Sequence, residues 1–112
     1  MTGKQGEDTA AAYLVSMGYA IMERNYRANR REIDIIASYC GLIVFVEVKA
    51  RENDRYSAAC EAVTIRKQER IISAASVWFQ VNAPDAYARF DVIEVYRDRI
   101  NHIERAFDLP PG

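Results

Sequence analysis

The sequence predicts an α/β domain, a mixed central β-sheet flanked by helices in the order α-β-β-β-α-β-β, and three observations carry that prediction. Two segments repeat apolar residues at helical spacing: Ala10, Tyr13, Leu14 and Met17 near the N-terminus, and Ile71, Ile72, Ala75, Trp78 and Phe79 further on. Between them, Arg31 to Arg51 is rich in Ile and Val and broken once, at Cys40-Gly41, the composition of a β-hairpin whose glycine supplies a positive φ. Past the second helical segment, Phe90, Val92, Ile93 and Val95 mark a further buried strand, and Ile100 to Phe107 a last one. With 112 residues, 50% hydrophobic and 28% charged, the chain is expected to form one domain over 1–112, a core to 107 and a tail over 108–112.

The first helix is predicted from Gly6 to Met17, with Gly18 as its stop. Glu7 precedes Ala10, Ala11 and Leu14 at helical intervals and so belongs to the inward face of the first turn. An acid there complements the helix dipole. Tyr19 to Arg27 reads as a strand pairing with the hairpin, followed by a basic loop, Ala28-Asn29-Arg30-Arg31.

Centring the hairpin on Cys40-Gly41 opposes Ile33 to Val48, Ile35 to Val46 and Ala37 to Val44, an apolar face. On the other face Ile36 meets Phe45, Asp34 meets Glu47 and Glu32 meets Lys49. A one-residue slip would turn every side chain over, so the clean partition supports this register. After Lys49, Ala50 to Ser57 lacks periodicity and reads as a loop, with Arg51, Asn53, Arg55 and Tyr56 able to grip a backbone or simply to be solvated.

Thr64 is the predicted N-cap of a helix running to about Val81. Gln68 extends its apolar stripe and Lys67 sits at the margin, where a helix start favours anions, although an amphipathic helix needs no ligand. Asn82-Ala83-Pro84-Asp85 breaks the helix. Arg89 to Tyr96 is the next strand, with Asp91 read as a satisfied acid at a strand end. His102, the one histidine, falls on an edge-like strand and is read as structural.

The opposed acids are the informative feature. Like charges across a strand pair destabilise it, and at ~5 Å with an effective dielectric near 20 the repulsion is roughly 3 kcal/mol. Either the sheet ends there and both groups are solvated, or screened by Glu32 and Lys49, or a cation lies between them. In the last case Asp34 and Glu47 would bind a divalent ion, Mg²⁺ or Mn²⁺, which takes one or two carboxylates and completes its shell with water and phosphate oxygens. Lys49, on the same face, would then orient or deprotonate a water or neutralise a phosphate.

Composition narrows the alternatives. Cys40 and Cys60 with one His and no Cys-x-x-Cys spacing give neither a zinc site nor a disulfide framework. No run reaches the ~20 apolar residues of a membrane span, and the N-terminus lacks the apolar segment of a signal peptide, so a cytoplasmic protein is expected. A net charge of −1 and a pI near 5.8 argue against an indiscriminate nucleic-acid binder. Locally, however, Arg24, Arg27, Arg30 and Arg31 form one basic group, and Arg51, Arg55, Arg66, Lys67 and Arg70 another; each is either phosphate-binding or a solvated face.

Asp34 followed by Glu47-Val48-Lys49 resembles the PD-(D/E)XK nuclease signature. The wider set is more specific: Gly3-x-x-Gly6-Glu7, Asn25-x-Arg27, Glu32-Ile33-Asp34, Phe45-Val46-Glu47-Val48-Lys49-x-Arg51, Lys67-Gln68 and Arg89-Phe90-Asp91. In that order they resemble the YraN-like family of small bacterial proteins, related by fold to archaeal Holliday-junction resolvases, and the resemblance runs to about Tyr96. It implies a restriction-endonuclease-like fold, a metal held by Asp34, Glu47 and the main-chain carbonyl of Val48, and Glu7 as a third acid aimed at the metal. It also implies Lys49 at the nucleophile and nucleic-acid contacts from Arg27, Arg31, Arg51, Lys67 and Gln68. Relatives usually carry Gly where this chain has Arg31.

The expectation is thus a Mg²⁺-dependent nuclease acting on DNA, including branched or structured DNA. The alternative is a nucleic-acid-binding or assembly module on the same fold without hydrolysis. The residues do not separate DNA from RNA, and junction resolution would require a homodimer.

Overall fold

The computed structural model describes residues 2–51 and 64–108. Its elements are α1 (Gly3–Ser16), β1 (Ala20–Ala28), β2 (Arg31–Tyr39), β3 (Leu42–Ala50), α2 (Ile65–Asn82), β4 (Tyr87–Val95) and β5 (Ile100–Phe107), the order that the sequence predicts. The strands form one sheet in chain order, antiparallel except for the β3–β4 pair, whose crossover carries α2. This is an α/β arrangement of the restriction-endonuclease-like kind. The expected loop grip by Asn53, Arg55 and Tyr56, Cys60 and the end of the tail lie outside the described residues.

Alternation along the strands divides the core in two. Ile36, Ile43, Phe45 and Phe90 pack with Ile71, Ala74, Ala75 and Trp78 of α2. Ile35, Ala37, Val44, Val46 and Ile93 pack on the opposite face with Ala10 and Leu14 of α1. Among the described residues no helix is long and apolar enough to cross a membrane.

The helix α1 starts three residues earlier than predicted. The Thr2 side chain accepts from Gln5 N–H at 3.1 Å and Gln5 Oε1 accepts from Thr2 N–H at 2.8 Å, a reciprocal cap that composition-based reading passed over. Gly18, at φ +95°, follows its last turn as predicted, but Met17 is exposed instead of joining the stripe. Thr64 caps α2, accepting from Lys67 N–H. Cys40 and Gly41 both have positive φ, the geometry of a two-residue hairpin turn, and the ladder from Tyr39–Leu42 to Ile35–Val46 is the predicted register. The basic loop is tighter than predicted: Asn29 and Arg30, both at positive φ, form a two-residue turn between the paired Ala28 and Arg31.

Two further expectations are corrected. Ile33 packs with Ile36 and Phe45 on the α2 face, not with Ile35 on the α1 face. The alternation breaks at Asp34, where the β2–β3 ladder has ended and Asn25, between the β1 residues paired to Ile33 and Ile35, is at φ 54°. Asp91 is not at a strand end but buried within β4, at an irregularity in the β4–β5 ladder.

Candidate metal centre

The last β2–β3 pair is Ile35 with Val46, and beyond it side chains replace the ladder. Val48 N–H donates to Asp34 Oδ2 at 2.8 Å, so the aspartate is fixed by main chain instead of facing a strand partner. On β1, Asn25 adopts the left-handed conformation that Asn tolerates better than most residues. Its Nδ2 donates to Glu7 Oε1 at 2.9 Å and Oε2 at 3.1 Å, and to Glu32 Oε1 at 3.2 Å. Glu7, Glu32 and Asp34 thereby offer oxygen atoms that lie within 4.8 Å of one another.

Glu47, buried on β3, borders this group. Lys67 Nζ from α2 lies 2.7 Å from Glu47 Oε1 and Lys49 Nζ 3.6 Å from the same oxygen. Burial, then the charge of Glu47, then those of Glu7 and Glu32, push Asp34 up to about 7, against the Val48 hydrogen bond that favours its ionised form. Lys49 is held below the ordinary lysine range, first by burial and then by Lys67 beside it. Lys67 is shifted upward: burial opposes its charge, but the bonds to Glu47 and Lys49 outweigh that.

The donor set is entirely carboxylate oxygen, which suits Mg²⁺ or Mn²⁺ and not the softer metals that select His and Cys. Its electrostatics fit a divalent cation as well. A carboxyl that keeps its proton to near neutrality because acids crowd it is a carboxyl that a cation would ionise.

Of the residues expected at the site, Glu7 and Asp34 come together with Glu32, and Glu47 and Lys49 border them. Lys67 is in contact with Glu47 instead of awaiting a phosphate. Arg27 Nε meets Glu32 Oε2 at 3.1 Å, and Arg31 lines a cavity with Glu32 and Lys67. Arg51 turns inward: its Nε lies 3.3 Å from Glu94, which is buried on β4 and also bonded by Asn101. Gln68 is half-buried on the first turns of α2.

Sequence reasoning missed Glu32 as a member of the acid cluster and Asn25 as the residue that bridges Glu7 and Glu32. Glu32 stands two residues before Asp34 on one strand, so its side of the sheet was legible; its partner was not. The expected Glu32–Lys49 pairing gives way to Arg27 on Glu32 and Glu47 on Lys49.

A mixed sheet between two helices, with four acids and two lysines gathered where two central strands part, defines an α/β protein of the restriction-endonuclease-like class. Over residues 6–95 the chain matches the family described as Uncharacterised protein family UPF0102, and it belongs to that family, the YraN family. A UPF0102 protein of Clostridioides difficile is 47% identical over 108 residues, covering 94% of this chain and 95% of the relative. One from Syntrophus aciditrophicus is 47% identical over 116 residues, covering 99% and 91%. A third, from Phocaeicola vulgatus, is 40% identical over 113 residues, covering 97% and 93%.

Proposed function

We propose that this protein is a divalent-cation-dependent nuclease that hydrolyses phosphodiester bonds of DNA. The observation that carries the reading is Asp34, pinned by the Val48 amide among Glu7, Glu32 and Glu47 and raised to about 7 by burial and their charges. Glu7, Glu32 and Asp34 would hold the cation, with Glu47 and the Val48 carbonyl at its border. A Mg²⁺ or Mn²⁺ ion there supplies Lewis-acid stabilisation of phosphate charge and lowers the pKa of bound water.

The chain's own residues do the rest. Asn25 bridges Glu7 and Glu32, while Arg24 at 3.5 Å from Glu7 and Arg27 at 3.1 Å from Glu32 offset their charges. Lys49, with its ammonium destabilised by burial and by Lys67, is suited to take a proton from the attacking water. Lys67, 2.7 Å from Glu47, would add a positive charge for the phosphate beside the acids.

The test is cleavage of labelled linear and branched DNA in Mg²⁺ or Mn²⁺, alongside Mn²⁺ binding by calorimetry. Asp34→Asn and Lys49→Ala should each abolish cleavage, and Lys49→Ala alone should leave Mn²⁺ binding intact. One observation favours a second reading, a nucleic-acid-binding module without hydrolysis: Lys67 already neutralises Glu47 at 2.7 Å. Absence of both Mn²⁺ binding and cleavage would select that reading.

A further inference from the structure

Arg30 and Arg31 of the first basic group and Arg66, Lys67 and Arg70 of the second, far apart in sequence, meet in space. A cavity of about 400 Å³ between the β1–β2 turn and the start of α2 is lined by Arg30, Arg31, Arg66, Lys67 and Arg70, together with Glu32. A second cavity of about 400 Å³ shares Arg31, Arg66 and Arg70 and adds Glu69. Asn29 Nδ2 donates to Ser73 Oγ at 3.3 Å, tying the turn to the helix and fixing the two walls of the groove. Among the described residues Arg30, Arg66 and Arg70 make no ion pair, and Arg66 and Arg70 are exposed.

We infer that this groove binds the phosphate backbone of a nucleic-acid duplex and delivers it to the acid cluster, a step that rests on the nuclease reading only for its destination. Two features point to that ligand. The groove runs into the metal centre, because Glu32 belongs to both and Lys67 lines the groove while holding Glu47. And among the described residues none that lines either cavity is aromatic. Single strands are held by stacking on aromatic rings within a basic groove, whereas a duplex with its bases paired is gripped by charge on its phosphates. A row of guanidiniums with no ring among the described lining fits the second.

The test is fluorescence anisotropy with a labelled duplex and the matching single strand in EDTA, across a salt series. Each phosphate contact contributes about 0.9 to the slope of log affinity against log salt. Arg66→Ala/Arg70→Ala should flatten that slope by about 2, so that between about 50 and 200 mM salt the unaltered protein loses roughly 12-fold more affinity than the variant. Arg66→Lys/Arg70→Lys should restore the slope, which a merely structural role would not do. An unchanged slope in the double-alanine variant, tighter binding of the single strand, or no duplex binding at all would overturn the inference. Because the assay needs no cleavage, a protein that binds through these arginines but never cuts removes only the nuclease reading. One that cuts with an unchanged slope removes only the groove.

Discussion

Asp34→Asn should stabilise the metal-free protein, and more so as pH rises. In the native state this carboxyl keeps its proton to about 7, whereas the unfolded chain releases it near 3.8. Between those values the native state binds more protons than the unfolded one, so stability falls with rising pH and the loss is complete above about 7. At about 1.4 kcal/mol per pH unit, the full range sets an upper limit of about 4 kcal/mol. The carboxyl keeps partial contact with solvent, so about half of that, ~2 kcal/mol, is expected. Asn can still accept from Val48 N–H but carries no charge to repel Glu47, Glu7 and Glu32. Thermal melts in EDTA at intervals from pH 4 to pH 8 should therefore show the variant gaining on the unaltered protein, to a difference of roughly 8 °C at the alkaline end. Adding Mn²⁺ at about a hundred times its dissociation constant should return ~2.7 kcal/mol to the unaltered protein and far less to the variant. A difference between the two that is flat, or that shrinks as pH rises in EDTA, would refute the account of the site as a knot of mutually repelling acids.

Three other changes probe different parts of the structure. Lys67→Ala removes a cation 2.7 Å from Glu47, so Mn²⁺ should bind several-fold more tightly in calorimetry, and weaker binding would show Lys67 to be a scaffold for the acids. Asp91→Ala strands Arg89 and His102 in the sheet and should cost about 3–5 kcal/mol in urea denaturation, while Mn²⁺ binding by the folded variant stays unchanged. Gly41→Ala meets nothing within 4 Å, so its destabilisation of about 1 kcal/mol comes from φ +77° alone; a loss several times larger would mean the hairpin turn is packed and not merely bent.

Much of this fold is legible because it is periodic. The predicted register of β2 on β3 follows from one turn glycine and from apolar residues that must share a face, and both are local properties of the chain. The run Ala28-Asn29-Arg30-Arg31, by contrast, reads as a loop because neither Asn29 nor Arg30 is a glycine, yet both adopt positive φ. Long-range consequences are harder still to read. Nothing near Glu47 in sequence announces that Lys67, on a helix beyond the crossover, will reach it, nor does either arginine group announce the other. Arg51 looked like a loop cation because its partner Glu94 lies on a strand more than forty residues later, at a point that only the parallel β3–β4 pairing brings alongside.

The two strand aspartates show how surroundings make one acid a candidate site and the other a support. Each takes a main-chain N–H where a ladder is irregular: Asp34 from Val48 at 2.8 Å, and Asp91 from Arg105 at 3.1 Å. From the sequence both are acids embedded in apolar strands. Their surroundings then diverge. Asp91 accepts from Arg89 at 2.9 and 2.8 Å and has His102 Nε2 at 2.7 Å, with Tyr13 on the far ring nitrogen. Burial alone would raise it, but the bonds from His102, Arg89 and the Arg105 amide outweigh burial and hold it below the usual carboxylate range. Its charge is balanced within the chain, which leaves nothing for a ligand to do. Asp34 likewise takes one main-chain N–H and is also raised by burial, but its neighbours are Glu47, Glu7 and Glu32, so it is driven the other way. Asp91 has its cations within the sheet, whereas the cations near Asp34 are engaged by its neighbours, Arg24 by Glu7, Arg27 by Glu32 and Lys67 by Glu47, and among the described residues Asp34 itself takes only the Val48 amide. A cation at β2 and β3 would therefore balance a charge that lacks a partner of its own, and one at β4 would not.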